Sequence, residues 1–254
     1  MAKRIAIIGA GVSGLTCGVV LAEGGLDVAI SSAERGAATT SAAAAAIWYP
    51  YDTGPKGDVM AWALATYREL ADLSTDPRSG ASMIELRCFS RLGQIEMPAW
   101  AGPLGGRELQ ASDEIPAPFT SGFALTVPLL DTPRYLPQLE MRFVNAGGSI
   151  TGNSTFDSIE EVNREFDLVV NCAGVGAKTL VPDPEIEPHR GQVAIMPKID
   201  LPYAIVCDDA PLMYVIPRTG DCVFGGTNEI AESRARPGCN PAHGLRVQSH
   251  LENR

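Results

Sequence analysis

The sequence is poor in the residues that build metal centres and disulfide frameworks. Its 254 residues include three histidines and six cysteines, and no two cysteines have the CxxC spacing of a zinc or redox motif. We therefore expect no metal site and predict that the cysteines are reduced thiols, most of them buried. They are Cys17, Cys88, Cys172, Cys207, Cys222 and Cys239.

Basic charge is also scarce. The chain has 20 Lys and Arg residues against 30 Asp and Glu residues, a formal net charge of -10, which argues against a nucleic-acid or anionic-membrane partner. No apolar run approaches the roughly 20 residues that span a bilayer. The apolar residues after Lys3 and Arg4 are interrupted at Gly9, so we expect no secretory leader and a cytoplasmic location.

The N-terminal segment carries the strongest local pattern. A β-branched run, Arg4–Ile8, is followed by a glycine-rich turn over residues 9–14, a helical stretch over 15–23 and a second apolar run over 28–31. A strand, a glycine turn, a helix and a strand within about thirty residues predict a βαβ unit that opens a parallel sheet. The fold class is therefore α/β, with a Rossmann-like domain.

Three glycines in this turn, Gly9, Gly11 and Gly14, have the GxGxxG spacing of a dinucleotide-binding loop. The first permits a tight turn, the second lets the backbone approach a pyrophosphate, and the third allows the helix to pack closely on the strand. Val12 and Ser13 of the turn are further candidates for cofactor binding, and the unpaired N–H groups at the start of the following helix attract phosphates. We expect a dinucleotide here, and the spacing alone leaves NAD and FAD open.

The acidic residue that usually follows the second strand and binds the adenosine ribose is missing. Ser31, Ser32 and Ala33 occupy those positions, and Glu34 is the nearest candidate. The alternative is that Glu34 is a solvated loop residue paired with Arg35. Both residues stay candidates for the adenosine end of the site.

The pattern then changes from βαβ to alternation. A helix is predicted over 57–72, and alternating apolar residues at 84–88 and 123–127 predict antiparallel strands. Asp131, Thr132 and Pro133 predict a helix start with a capping hydroxyl, and residues 166–171 predict a return to the parallel sheet. We predict a discontinuous nucleotide-binding domain (1–80 and 145–190), an antiparallel-sheet substrate domain (81–144 and 191–230), and a divergent or disordered tail (231–254).

Four blocks of the sequence have the order and spacing of a known family. They are residues 9–15, the stretch from Thr39-Thr40-Ser41 to Trp48-Tyr49-Pro50-Tyr51, residues 170–175, and Arg190-Gly191-Gln192 with Gly225-Gly226-Thr227. Together they resemble the D-amino-acid oxidase family, which includes D-aspartate oxidases. The resemblance implies that the dinucleotide is FAD.

The resemblance also implies roles for the second and third blocks. The hydroxyls of Thr39, Thr40 and Ser41 would contact FAD phosphates, and the backbone of Ala45, Ala46 and Ile47 would line the isoalloxazine ring. Cys172, Ala173 and Gly174 would pass near the adenosine, with Val162 on the preceding strand or turn. The alternatives are an alanine-rich helix for the second block and a packed strand end for the third.

The family's chemistry is the oxidation of D-amino acids. A hydride passes from the substrate α-carbon to the flavin, the imino acid hydrolyses to a 2-oxo acid and ammonia, and O2 reoxidises the flavin with formation of hydrogen peroxide. Tyr214 matches the family's carboxylate-binding tyrosine. The alternative is a structural tyrosine in a core strand.

The second substrate-binding group of the family, an arginine, is harder to place. Gly244-Leu245-Arg246 looks like the start of the arginine motif, but Val247 replaces its proline. The incomplete motif favours one alternative to a D-amino-acid oxidase, a truncated, non-catalytic FAD-binding homologue. A second alternative is an NAD-dependent dehydrogenase that uses the first block alone. A sheet without its last strand would expose an edge and apolar surface, which predicts oligomerisation such as a homodimer, a missing companion segment or reduced stability.

Overall fold

The computed structural model describes residues 3–50, 56–110, 114–184, 186–230 and 246–253. Four of the residues discussed above lie outside these ranges: Tyr51, Cys239, Gly244 and Leu245. The first fifteen residues of the predicted tail, 231–245, also lie outside them.

Within the described ranges the chain forms six α-helices, three short 3-10 helices (Gly36–Ala38, Gly102–Leu104 and Gly174–Gly176) and thirteen strands. The helices are α1 (Val12–Glu23), α2 (Thr40–Ala43), α3 (Lys56–Leu73), α4 (Thr132–Asn145), α5 (Ile159–Asn163) and α6 (Ala177–Leu180). The strands are β1 (Arg4–Ile8), β2 (Asp27–Ser31), β3 (Ala81–Ser90), β4 (Arg107–Glu108), β5 (Ser121–Leu130), β6 (Ser149–Thr151), β7 (Leu168–Asn171), β8 (Pro188–Pro197), β9 (Tyr203–Cys207), β10 (Met213–Pro217), β11 (Asp221–Gly225), β12 (Glu229–Ile230) and β13 (Arg246–Asn253).

The predicted parallel sheet is confirmed. Its four strands lie in the order β6-β2-β1-β7, and every neighbouring pair is parallel. Ile5 of β1 pairs with Val28 of β2 on one side and with Leu168 of β7 on the other. Strands β2 and β7, whose paired residues follow Ile5 by 23 and 163 positions, therefore lie on either side of β1. The carboxyl ends of all three strands are at the same edge of the sheet.

Helix α1 begins at Val12, three residues before the predicted start at Leu15. Glycine makes this early start possible, because a Cβ at Gly14 would lie 1.9 Å from the carbonyl oxygen of Gly9. The helix can therefore continue directly out of the turn and pack closely on β1.

Helix α4 packs on the parallel sheet. Tyr135, Leu136, Leu139 and Phe143 join the buried cluster that contains the apolar residues of β1 and β2. The predicted division had assigned residues 81–144 to the other domain, so α4 departs from it. The division as a whole stays a prediction.

The predicted capping hydroxyl of α4 is wrong. Asp131 is the residue before the helix, and its side chain makes no capping hydrogen bond. Thr132 is already helical, and its Oγ1 donates 3.0 Å to the carbonyl oxygen of Ala42. The hydroxyl therefore joins α4 to α2 instead of capping its own helix.

The second sheet is mixed. Its strands run β12-β8-β11-β10-β9-β3-β5-β4, with β13 also paired to β8. Most pairs are antiparallel as predicted, but β3 and β9 are parallel. More than a hundred residues separate these two strands, so no hairpin turn forces them to be antiparallel.

Of the two alternatives for the tail, divergent or disordered, the disordered one is wrong for its last part. Arg246–Asn253 forms β13, which pairs antiparallel with β8 from Pro188 to Ile195. Backbone pairing at an open strand needs no apolar alternation, which explains why the sequence showed no sign of it. Among the described residues no helix is long and apolar enough to cross a membrane.

Two neighbouring residues of α4 give a direct test of this core. The Phe143 side chain is 0% exposed and fills the space beside Gly18 and Gly148, whereas Val144 is 51% exposed. We expect Phe143→Ala to lower the free energy of unfolding by about 3–5 kcal/mol. We expect Val144→Ala to change it by less than about 0.5 kcal/mol.

Urea unfolding followed by circular dichroism measures both values. Equal effects of the two substitutions would show that α4 does not pack on the parallel sheet in this way.

Candidate functional site

A cavity of about 590 Å³ opens at the carboxyl ends of β1, β2 and β7. This edge is where open parallel sheets bind ligands, and the volume is in the range of small-molecule sites. Eleven of the predicted cofactor residues line it: Gly9, Gly11, Val12, Ser13, Glu34, Thr39, Thr40, Ser41, Cys172, Ala173 and Gly174.

The glycine turn forms one wall of the cavity. Gly9 has φ +110°, and a Cβ there would lie 2.2 Å from the carbonyl oxygen of Cys172. A Cβ at Gly11 would lie 2.9 Å from Ser41 Oγ. Any side chain at these positions would separate the turn from β7 or from α2, so glycine keeps the backbone at the cavity surface. Gly14 lies beneath the turn and does not line the cavity.

The N-terminus of α1 faces the cavity. Its first turn contains no acidic residue, and Gly11 offers no capping side chain. The Val12 N–H donates 2.9 Å to Ser41 Oγ, and the hydroxyl of Thr39 accepts from the Ala42 N–H at 3.3 Å. Hydroxyls and the positive end of a helix dipole therefore meet at one point, an arrangement that suits a phosphate.

A buried hydroxyl lies at the end of β2. Ser32 lines the cavity and is 3% exposed, and its Oγ has no hydrogen-bond partner among the described residues. Buried hydroxyls are rarely left unpaired, because the lost hydration is costly. The hydroxyl fits a polar ligand group at the part of the cavity next to the end of β2.

Glu34 and Arg35 are separated by the structure. Glu34 lines the cavity, but Arg35 does not and forms an ion pair with Glu140 of α4. The interpretation of Glu34 as the partner of Arg35 is therefore wrong.

The segment after Ser41 leaves the cavity and runs onto the mixed sheet. The alanine-rich helix interpretation is wrong beyond Ala43, because α2 ends there and Ala44 is extended. The Ala46 carbonyl accepts from Leu130 at 3.0 Å, and the Trp48 N–H donates to Pro128 at 2.9 Å. In this antiparallel bridge the backbone groups of Ile47 point away from β5, so its N–H is available to a ligand.

Tyr214 lies on the same face of the mixed sheet. It is opposite Gly225 of β11 and Val206 of β9. A Cβ at Gly225 would lie 1.9 Å from Tyr214 Cζ, so this glycine provides the space for the ring. Tyr214 packs against the same buried cluster as Ala45 and Ile47. The structure therefore places three predicted residues from two distant blocks against one buried cluster, with strands β9, β3 and β5 between Tyr214 and Ile47.

The structure does not bring Arg246 to Tyr214. Arg246 is the first residue of β13 and pairs with Ile195, and the strands β8 and β11 lie between it and β10. Three strand spacings place the two backbones about 14 Å apart. Val162 is also displaced from the cavity: it lies on α5, not on a strand or turn, and its side chain packs with Ala6, Ile8 and Leu180.

The cavity wall at the end of β7 carries a neutral thiol. Burial and the neighbouring Cys17 raise the pKa of Cys172 to about 12, so the thiol does not repel an anion. Of the described cysteines none forms a disulfide, and Cys88, Cys207 and Cys222 are buried as predicted. No group of described His, Cys, Asp and Glu residues could hold a metal ion.

Sequence reasoning missed one wall of the cavity. Ser154, Thr155 and Phe156 line it because β6 pairs with β2, and the Ser154 N–H donates 2.9 Å to the carbonyl of Ser32. No motif marks this loop. Only the pairing of a three-residue strand places it there.

Comparisons with known proteins agree with this geometry. The family model described as "FAD dependent oxidoreductase" matches residues 4–253. A D-amino-acid oxidase from Rubrobacter xylanophilus is 35% identical, over 99% of this chain and 78% of its own length. A D-aspartate oxidase from Homo sapiens is 30% identical, over 92% of this chain and 71% of its own.

Solved structures share the fold. The glycine oxidase from Geobacillus kaustophilus superposes with a TM-score of 0.75 at 16% identity, covering 99% of this chain and 83% of that one. The glycine oxidase from Bacillus cereus gives a TM-score of 0.73 at 17% identity, with the same coverage. The family match over nearly all of the sequence and the dinucleotide cavity lead to one conclusion: the chain belongs to the D-amino-acid oxidase family of FAD-dependent oxidoreductases, and FAD is its cofactor.

Proposed function

We propose that this flavin oxidase deaminates D-amino acids to 2-oxo acids and ammonia, with O2 as the electron acceptor and hydrogen peroxide as a product. The observation that carries the proposal is the path of residues 39–47. This stretch lines the dinucleotide cavity at Ser41 and continues to Ile47 on the sheet face that holds Tyr214. The names of the relatives support D-amino acids as the substrate class.

The residues of the cavity bind the cofactor. The backbone at Gly11, the N-terminus of α1 and the hydroxyls of Thr39 and Ser41 would hold the pyrophosphate. Ser32 and Glu34 lie at the end of β2, where the adenosine ribose binds in folds of this class. The Ile47 N–H would donate to the isoalloxazine ring. When bound, FAD accepts the hydride of the substrate α-carbon and passes the electrons to O2.

Tyr214 is the residue that would orient the substrate. Hydride transfer needs the α-carbon held at a fixed distance and angle more than it needs an acid or a base. The phenol hydroxyl would donate to the substrate carboxylate on the face shared with Ile47. We assign no role to Arg246, because two strands, β8 and β11, lie between its strand and the strand of Tyr214.

Ser32 tests the cofactor assignment. Ser32→Ala removes a buried hydroxyl that lacks a protein partner. We therefore expect the apoprotein to unfold at an equal or slightly higher temperature. The FAD dissociation constant should rise roughly three- to tenfold, because the hydroxyl loses its bond to the cofactor.

Ser158→Ala is the matched control, since Ser158 makes no side-chain cap to α5 and does not line the cavity. We expect it to leave FAD affinity unchanged. Flavin fluorescence titration and thermal melts of both variants measure the effects. An unchanged FAD affinity in Ser32→Ala would remove Ser32 from the site.

Anaerobic mixing with a panel of D-amino acids tests the reaction. We expect at least one member to bleach the flavin absorbance, and the matching L-amino acids to leave it unchanged. Readmission of air should restore the colour and produce hydrogen peroxide. FAD that stays oxidised with every D-amino acid would contradict the proposal and favour a non-catalytic FAD-binding protein.

In the same assay Tyr214→Phe examines substrate orientation. The ring that fits against Gly225 is retained and only the hydroxyl is lost. We expect FAD to bind as in the native protein and the substrate concentration for half-maximal bleaching to rise roughly tenfold. An unchanged value would mean that the tyrosine is structural.

A further inference from the structure

Arg218 is a buried charge in the turn between β10 and β11. The residue is 4% exposed. Its Nε and Nη2 donate to the two carboxylate oxygens of Asp221 at 2.7 and 2.8 Å, and its backbone N–H donates to the Asp221 carbonyl at 2.9 Å. A buried guanidinium is tolerated only when it is paired and hydrogen-bonded. The bidentate contact with Asp221 pairs the Arg218 charge within the hairpin.

The remaining nitrogen of Arg218 reaches out of the hairpin. Nη1 donates 2.9 Å to Thr132 Oγ1 at the start of α4 and lies 3.5 Å from the carbonyl oxygen of Ala44. The hairpin does not need these contacts to close its turn. They join the hairpin to two other parts of the chain. One is the start of α4, which packs on the parallel sheet, and the other is Ala44, which follows α2.

Thr132 passes the contact on to α2. Its Oγ1 accepts from Arg218 and donates 3.0 Å to the carbonyl of Ala42. Arg218 therefore reaches Ala42 through one hydroxyl and makes a longer, weaker contact with Ala44. Beyond these two residues, Ala46 and Trp48 are held by backbone hydrogen bonds to β5. Arg218 thus anchors the segment of residues 42–47 through a side chain at its first residues, which are the ones nearer the cavity.

This segment joins the two halves of the site. Ser41 at one end accepts from the N-terminal N–H of α1, and Ile47 at the other end lies on the face that holds Tyr214. Arg218 follows Tyr214 by four residues on the same hairpin. The Arg218 guanidinium therefore connects the hairpin of Tyr214 to the carbonyls of Ala42 and Ala44. Both carbonyls lie between Ser41 and Ile47, the two proposed cofactor contacts.

We propose that Arg218 is a positioning residue, which fixes residues 42–47 against the β10–β11 hairpin and so sets the position of the flavin-lining backbone relative to Tyr214. The role of Tyr214 rests on the proposed function, whereas the effect on FAD binding rests on the family alone. Arg218 touches neither cofactor nor substrate in this arrangement. Its action passes through Thr132, Ala42 and Ala44.

Three substitutions separate this role from simple stabilisation of the hairpin. Thr132→Val keeps the Arg218–Asp221 pair and removes both bonds of the Thr132 hydroxyl, the one from Arg218 and the one to Ala42. Arg218→Lys keeps the charge but cannot make the bidentate pair and the Thr132 bond together. The double change Arg218→Met with Asp221→Asn removes both charges, so no unpaired carboxylate is left in the turn.

A second bidentate pair gives the control. Arg142 of α4 donates to both carboxylate oxygens of Glu23 of α1 at 2.8 Å, and this pair is exposed and far from residues 42–47 in the chain. Arg142→Met with Glu23→Gln therefore removes a bidentate ion pair of the same geometry, at an exposed position, without changing residues 42–47.

The measurements are the melting temperature of the apoprotein, the FAD dissociation constant and the visible spectrum of bound flavin. We expect Thr132→Val and Arg218→Lys to raise the FAD dissociation constant on the order of tenfold. The spectrum of bound flavin should shift toward that of free flavin, because the backbone at Ala45, which precedes the residues paired with β5, is then less tightly fixed. The control variant, Arg142→Met with Glu23→Gln, should leave the FAD dissociation constant and the flavin spectrum unchanged.

Unchanged FAD affinity and spectrum in Thr132→Val and in the double variant would overturn the proposal, as would an equal effect in the control. If Arg218→Lys does not fold, the other two variants decide. A native protein that binds FAD but is not bleached by D-amino acids would instead overturn the proposed function and leave this result standing.

Discussion

The close contact between the β1–α1 turn and the end of β7 constrains the rest of the site. The backbone of Gly9 lies against the carbonyl of Cys172, and Gly14 lies against the carbonyl of Gly9. These contacts allow α1 to start directly after the turn, with its N-terminus at the carboxyl edge of the sheet. Side chains at either glycine would move the helix away from β7 and widen the cavity at the point where a pyrophosphate is held.

A second constraint joins this cavity to the mixed sheet. Residues 39–48 begin beside the N-terminus of α1 and end in a bridge to β5. They are held by side chains at the start and by backbone pairing at the end, so their N–H groups have fixed directions. An oxidase of this kind needs that rigidity, because hydride transfer depends on the geometry between the flavin and the substrate.

The sequence predicts the parts of this structure that depend on local pattern. The GxGxxG spacing and the apolar run at 168–170 predict the parallel sheet and its turn, because steric limits on glycine and burial of β-branched residues are local properties. The hydroxyls at 39–41 were also recognisable, through the family resemblance.

The remaining features depend on tertiary placement. Ser32 is buried because β6 lies beside β2, and an arginine in a hairpin turn, such as Arg218, is ordinarily solvated. A capping hydroxyl was predicted at Thr132 because a hydroxyl residue before a proline is typical of a helix start. In the structure this hydroxyl donates to Ala42 and accepts from Arg218. The strand β13 forms by pairing with β8, and no periodicity announces it. Chain-distant partners decide each of these cases.

Amide hydrogen exchange with and without FAD tests most directly whether one ligand spans both constraints. We predict that FAD slows exchange at residues 11–14 and at residues 45–47 together, and leaves residues 141–145 on the outer end of α4 unchanged. Protection at residues 11–14 without any at residues 45–47 would contradict the account, because the dinucleotide would then reach the glycine turn but not the face that holds Tyr214.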